Sequence, residues 1–356
     1  MYICFLGLIT RFILVILTFE MQFKFSSNDA IKYFEDAISI ANGDYHIYIN
    51  FFSVLYVYFL SLFYLVVPFK DPLIGNSVSV FIWFVSALVL LKSLNIINVS
   101  KSKIALVLFL YSFLPSSIAY TSVTLKESVM LLLMNTLIMS YLSIVIKNNV
   151  KHYLLFFIMS LFLMFMHKVF FVVFFLIYIL LIFTFYNKRF QKIIFIFTAG
   201  IFFLFFNFFF LDYVIQDLNI IINGQYVSRA TYLENFQIDK NIFSFLGFVF
   251  TAYIKYNFMP FIFYVENFAD AVLLFENFLR FILFLIMLKK FFKYSKHKVY
   301  SNYLFIFLLY FIIELIWALG TQNWGTASRH HIPTFGLLLV ASFFDFQKIK
   351  IINKKI

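Results

Sequence analysis

Long apolar stretches separated by short polar segments recur along the whole chain. A helix needs roughly 20 residues to cross about 30 Å of hydrocarbon. Runs near that length fall at 2–19, 49–68, 76–91, 104–120, 129–146, 153–166, 169–186, 193–211, 242–265, 271–288, 303–319 and 332–344. One segment between the first two runs breaks the pattern. Residues 26–43, SSNDAIKYFEDAISIANG, are polar and acidic and read as a helix ending at Asn42-Gly43. Asp29, Tyr33, Ala37 and Ala41 recur every four residues, so they share one stripe whose small alanines suit close packing on a bundle. A carboxylate inside lipid costs roughly 2.5 to 3.5 kcal/mol. Asp29, Glu35 and Asp36 are therefore expected in water at the membrane surface.

Composition strengthens this picture. Of 356 residues, 64% are hydrophobic and only 12% charged, which excludes a soluble globular class and predicts an all-α, polytopic transmembrane bundle forming one domain, 1–356. The 57 phenylalanines rise together with Ile, Asn, Lys and Tyr and carry no functional meaning here. The single cysteine, Cys4, has no partner for a disulfide or a thiolate metal site.

A net charge of +12 would suit a nucleic-acid binder if the charges formed a patch. Instead they sit between the apolar runs, so nucleic acid is not an expected partner. Lys92, Lys101 and Lys103 flank one loop, and Lys147 and Lys151 a second. Lys188, Arg189 and Lys192 flank a third, Lys289, Lys290, Lys293, Lys296 and Lys298 a fourth, and Lys348, Lys350, Lys354 and Lys355 mark the C-terminal stretch. The positive-inside rule makes all five cytoplasmic. The apolar runs then count correctly only if 49–68 and 242–265 lie along the membrane or re-enter it, which leaves about ten spans. In this topology the outer face carries the loop 20–48 with its surface helix, 121–128, the second large loop 212–241, and 320–331.

Candidate chemistry gathers on that face. Asp29 is a candidate general base, although spacing alone favours a place in the first turn of a helix, set there by capping or the macrodipole. Lys126 and Glu127 stand where an outer loop turns back into an apolar run. Glu127 could position a hydroxyl or hold a divalent cation and Lys126 could meet a phosphate, or the two could be a helix-start glutamate and a snorkelling lysine. His167 and Lys168 close a run as interfacial anchors or as phosphate contacts. Arg229 and Arg329 carry the planar fork that suits a diphosphate. His330 and His331 are adjacent, do not share a helix face and match no metal-ligand spacing. Arg11, Arg280 and Glu314 fall within apolar runs and should face the bundle interior or a wet cavity; Glu276 precedes Arg280 by four residues, which predicts an intrahelical ion pair.

The order Asp29, Tyr33, Ala37, Asn42-Gly43, then an apolar helix, a run ending in a basic loop, and SFLPSSIAYTSVTLKESVMLLLMNTLIM resembles the GT-C superfamily of membrane glycosyltransferases. The closing SRHHIPTFGLLL, with Arg329 and Pro333, is similar to that superfamily's final Arg-x-x-x-Pro entry. Asp29 is followed by Ala30 rather than a second acid, and HIYINFFSVLY lacks the proline that opens the next helix in single-sugar transferases of this type. A compact, loop-poor chain looks more like the O-antigen repeat-unit polymerases of the Wzy type.

This resemblance implies a GT-C-like fold in a bacterial inner membrane and a periplasm-facing site. It further implies an undecaprenyl-(di)phosphate-linked saccharide as substrate, and the bilayer and other polysaccharide-assembly proteins as partners. Asp29 and Glu127 would be catalytic, and Tyr33, Lys126, Lys168, Arg229, Arg329 and His330 would bind substrate. No cofactor is called for beyond the divalent cation that Glu127 could hold. Two alternatives stay open, a polyprenyl-monophosphate-sugar-dependent single-sugar transferase and a flippase or transporter of lipid-linked oligosaccharide; no inverted repeat supports the latter.

Overall fold

The computed structural model describes residues 1–20, 28–44, 51–67, 69–147, 149, 151–174, 177, 242–294 and 300–344. Regular structure among them is helical, without a strand. In chain order the helices are α1 (Tyr2–Glu20), α2 (Asn28–Ala41), α3 (Phe51–Val66), α4 (Pro72–Ile96), α5 (Lys101–Phe113), α6 (Pro115–Thr121), α7 (Glu127–Lys147) and α8 (Lys151–Met166). After the 242 boundary come α9 (Ile242–Phe258), α10 (Phe268–Tyr294), α11 (Tyr300–Gly320), α12 (Trp324–His330) and α13 (Ile332–Phe343). The expected loop at 212–241, Arg229 within it and the basic clusters at 188–192 and 348–355 lie outside the described residues.

Among the described residues four helices are long and apolar enough to cross a membrane: α4, α7, α10 and the 303–320 part of α11. The run at 104–120 is not one straight helix. Leu114-Pro115 breaks it into α5 and α6, which meet at 55° and together would make a fifth crossing. Proline forces the break because it has no N–H to donate and disfavours helical geometry in the residue before it. The freed groups find partners: Arg11 donates to the Ser112 carbonyl (2.8 Å) and to the Ser117 and Thr121 hydroxyls (3.0 and 2.7 Å), while Glu276 accepts from the Ser116 N–H (2.6 Å). Arg11 also lies over the ring of Trp83, 3.4 Å from its centroid.

The expectation that Arg11, Arg280 and Glu314 face inward holds, since all three are buried. Arg280 pairs with Glu276 at 3.4 Å, as their spacing predicted. Glu314 accepts from the Thr334 hydroxyl and contacts His331 Nδ1 at 2.6 Å, and the other His331 nitrogen faces the Tyr256 carbonyl at 3.4 Å. Each of these buried charges therefore ties helices together.

The core is centred on α7 and α13. Every residue from Ile332 to Ser342 is buried. Asn135 of α7 donates to the Ser86 and Tyr111 hydroxyls (2.9 and 2.8 Å), joining α4, α5 and α7, and Gly336 of α13 lies directly against its amide. Large apolar side chains such as Ile13, Phe81, Phe109, Leu154, Phe157, Phe275 and Leu285 remain exposed on the outside. A shell of this kind is what lipid-facing helices present.

The two ends of the bundle differ chemically. Lys92 near the end of α4, Lys101 and Lys103 opening α5, Lys147 closing α7, Lys151 opening α8, and Lys289, Lys290 and Lys293 in the last turns of α10 gather at one end. The start of α7 and the ends of α8 and α11 form the other. The surface helix α2 lies there and ends as its sequence suggests: Gly43 has φ +88, Gly43 N–H donates to the Ile40 carbonyl (3.0 Å) and Asp44 N–H to that of Ser39 (2.9 Å), the αL stop that glycine favours. Helix α3 runs beside it. Ser53, near its start, meets Lys126, while Tyr64, near its end, accepts from the Gly75 N–H (3.2 Å) at the start of α4. Both ends of α3 thus lie at this end of the bundle. Helix α9 packs beside α10 and α11 and stops at Phe258, just before Pro260, so the run expected to reach residue 265 ends earlier.

One expectation about α2 needs correction. Asp36 is not in open water; it is buried together with Ala30, Tyr33, Ala37 and Ile40 on the face that packs against α3. Glu35 is exposed, and Asp29 lies at the edge of the buried face.

Candidate functional site

Three helix ends converge where α2, α7 and α12 meet. Asp29 lies in the first turn of α2, Glu127 in the first turn of α7 and Arg329 in the last turn of α12. These are the positions where the helix macrodipole favours an anion and a cation respectively. Arg329 joins the other two: its Nη1 donates to Asp29 Oδ2 at 2.8 Å and its Nε to Glu127 Oε1 at 2.6 Å. Both carboxylates thus occupy the first turn that the macrodipole favours, and both also meet Arg329.

Helix α12 is itself pinned. Asn323 caps it by accepting from the Thr326 N–H (2.7 Å), the Tyr120 hydroxyl donates to the Gly325 carbonyl (3.1 Å), and Trp324 Nε1 donates to Asp270 (3.3 Å). Pro333 opens the following helix, α13.

The three members differ in exposure. The Glu127 side chain is 1% exposed, Arg329 14% and Asp29 47%. Among the described residues Glu127 Oε2 has no hydrogen-bond partner. Burial works against the Arg329 charge, but Glu127 and Asp29 outweigh it and hold the guanidinium above its ordinary pKa.

Lys126 is the correction to the snorkelling alternative. It is buried, and its ammonium donates to Ser53 Oγ and to the Met166 carbonyl, both at 3.1 Å. Burial pushes its pKa down to about 8, with Glu127 and Asp29 opposing the shift and Arg329 adding to it. Ser53 also pairs with the Tyr33 hydroxyl at 3.3 Å, which draws Tyr33 into the same cluster. Burial and the nearby Glu127 raise the Tyr33 pKa.

An aromatic wall stands behind the cations. His330 stacks on Trp317 with centroids 5.4 Å apart and 13° between planes, and its Nδ1 meets the Thr321 hydroxyl at 2.9 Å. His167 packs edge-on against both, 5.7 Å from Trp317 and 5.8 Å from His330. Burial lowers the pKa of each imidazole, and the neighbouring positive charges lower it further. His167 Nδ1 accepts from the Val169 N–H (3.3 Å).

The structure thus brings together Asp29, Glu127, Arg329, Lys126, Tyr33 and His330. Lys168 is exposed, and its charge is one of those that lower the pKa of His167. Ser53, Thr321 and Trp317 were not legible as site residues, and His167 was read chiefly as an anchor. Its place beside two other chemistry-bearing residues is a tertiary fact that local sequence does not carry.

A divalent cation held by Glu127 would meet carboxylates that Arg329 already bridges. Such an ion takes six or more oxygens for calcium, or near-octahedral oxygen for magnesium. Here the charge between the two carboxylates is the Arg329 guanidinium, Lys126 adds a second positive group, and among the described residues no group of three His, Cys, Asp or Glu side chains could hold a metal.

Fold and site define the class: a chain helical over its described residues, with several helices that could span a membrane and a mixed acid–base cluster at one end. Comparison with protein-family models, curated proteins and solved structures finds no match.

Proposed function

We propose that this chain is a membrane glycosyltransferase using polyprenyl-(di)phosphate-linked saccharides, and specifically a GT-C-like polymerase of O-antigen or related surface-polysaccharide repeat units. The observation that carries the reading is Arg329 joining Asp29 and Glu127 across 300 and 202 residues of sequence, at the end of the bundle opposite the lysine clusters. The positive-inside rule makes that end the outer face of a bacterial inner membrane.

Glycosyl transfer needs a base for the acceptor hydroxyl and positive charge for a leaving phosphate. Asp29, half exposed, takes the acceptor O–H proton as that oxygen attacks the anomeric carbon. The anomeric C–O bond to phosphate breaks, and its electron pair passes to the departing lipid (di)phosphate. Arg329 and Lys126 neutralise the charge that develops there, the arrangement in which preplaced cations lower a barrier most. General-base action is worth about 100 to 10,000-fold. Glu127 fixes Arg329, and Tyr33 and His330 line the approach.

A transporter is less well supported, because the buried charges Arg11, Arg280 and Glu314 are engaged by groups of the protein itself. The test is reconstitution. Purified protein in liposomes, given undecaprenyl-diphosphate-linked oligosaccharide units, should yield a ladder of multiples of the unit. One added sugar from a monophosphate donor would instead assign the single-sugar transferase, and movement of unaltered donor across the bilayer the flippase.

A further inference from the structure

We infer that Arg329 exchanges partners during the cycle: an incoming phosphate group displaces Asp29, and not Glu127, from the guanidinium, so that arrival of the anionic ligand is what frees the carboxylate. This rests on the reading of the cluster as a polyprenyl-(di)phosphate site and adds the order in which its groups engage.

Two asymmetries carry it. The first is exposure. With 47% of its side chain in contact with solvent, Asp29 regains water when it lets go, and an ion pair of that kind is worth little. Glu127, 1% exposed, has no such refuge, and its Oε2 already lacks a partner among the described residues. Withdrawing Arg329 Nε would leave a whole carboxylate buried without compensation, which is strongly unfavourable. The second asymmetry is in the guanidinium. Glu127 holds the Nε side and Asp29 takes Nη1, a terminal nitrogen. A phosphate that claims Nη1 competes there with Asp29, while Glu127 keeps Nε.

Charge balance points the same way. Among the described residues Asp29 and Glu127 oppose Arg329 and Lys126, two carboxylates against two cations. A multiply charged phosphate held there while Asp29 stayed on Arg329 would face a carboxylate across the same nitrogen. Exchange removes that repulsion and leaves Asp29 unpaired beside the ligand, which is the state a base requires. In the resting pair, Asp29 Oδ2 accepts from the Arg329 Nη1–H, so that oxygen is held by the guanidinium.

The experiment is a titration of the full-length protein in phosphatidylcholine nanodiscs with inorganic pyrophosphate, followed by calorimetry. Asp29→Asn removes the competing charge while keeping shape at a half-exposed position, so it should bind pyrophosphate about tenfold more tightly than the unmodified protein. Arg329→Lys, which loses the planar fork but keeps the charge, should weaken binding in both backgrounds. Equal or weaker binding by Asp29→Asn overturns the exchange. Farnesyl diphosphate serves as the second probe: a further gain over pyrophosphate assigns the lipid-linked form, and equal affinity assigns the bare anion. The result separates from the enzymatic reading, because a variant that binds more tightly yet still elongates saccharide would remove Asp29 as the base and leave the exchange standing.

Discussion

Replacing Arg329 by methionine should destabilise the protein in a way that a second substitution partly reverses. The change keeps most of the side chain's length and removes its charge, stranding two carboxylates of unequal burial. The Glu127 arm is nearly inaccessible to water, and removing one partner of such a buried pair costs about 3 to 5 kcal/mol. The Asp29 arm is half exposed and adds no more than about 1 kcal/mol. Arg329→Met should therefore cost roughly 3 to 6 kcal/mol, and Asp29→Asn about 1 or less. Adding Glu127→Gln to Arg329→Met removes the stranded charge, so the double variant should be more stable than Arg329→Met alone, by about 2 kcal/mol or more on the same reasoning. Unfolding in mixed micelles, with increasing dodecyl sulfate and helicity as the signal, measures all four proteins. The reasoning fails if Arg329→Met costs no more than Asp29→Asn, or if Glu127→Gln brings no recovery.

Other expectations follow from the same geometry. Lys126 titrates near pH 8 in the fold against an ordinary 10.5, so the unfolded chain binds more protons between those values; its burial penalty is full below pH 8 and is relieved as pH rises toward 10.5, making stability climb across that window. Activity should move the opposite way, falling as pH passes 8 and the cation at the site is lost, and Lys126→Arg should carry the alkaline limb of the pH–rate profile upward. Gly336→Ala sets a methyl against the Asn135 amide that links α4, α5 and α7; an overpacking cost of about 1 to 3 kcal/mol is expected in the same micelle titration. In a Cys4→Ala background, Lys32→Cys on α2 should react with a membrane-impermeant maleimide applied outside intact spheroplasts, whereas Lys92→Cys should react only after lysis.

Much of the helical layout was legible because an apolar run long enough to span lipid has few other uses. The described helices that match predicted runs begin or end within a few residues of them, α7 at Glu127 and Lys147 against 129–146 and α13 at Ile332 and Phe343 against 332–344. The break at Pro115 was hidden, since the residues on both sides are apolar enough to carry the run through it, although the proline itself was the available signal. Asp36 was misplaced because its charge was weighed and its position one turn from Tyr33 was not. Asp29, Glu127 and Arg329 were each named for local chemistry. What local chemistry could not supply was their contact, which joins α2, α7 and α12 and depends on how α12 is pinned by Tyr120, Asn323 and Asp270. Lys126 illustrates the same limit in reverse, since a lysine beside an apolar run snorkels unless the fold provides acceptors, and Ser53 and the Met166 carbonyl do so here.

The account depends most on Asp29 taking a proton from an acceptor hydroxyl. The direct measurement is chain-length distribution from reconstituted Asp29→Asn protein supplied with lipid-linked repeat units, at the same protein amount and helicity as the unmodified chain. The account predicts that units remain single, with elongation reduced by at least about 100-fold. A ladder of ordinary length from the variant would contradict it.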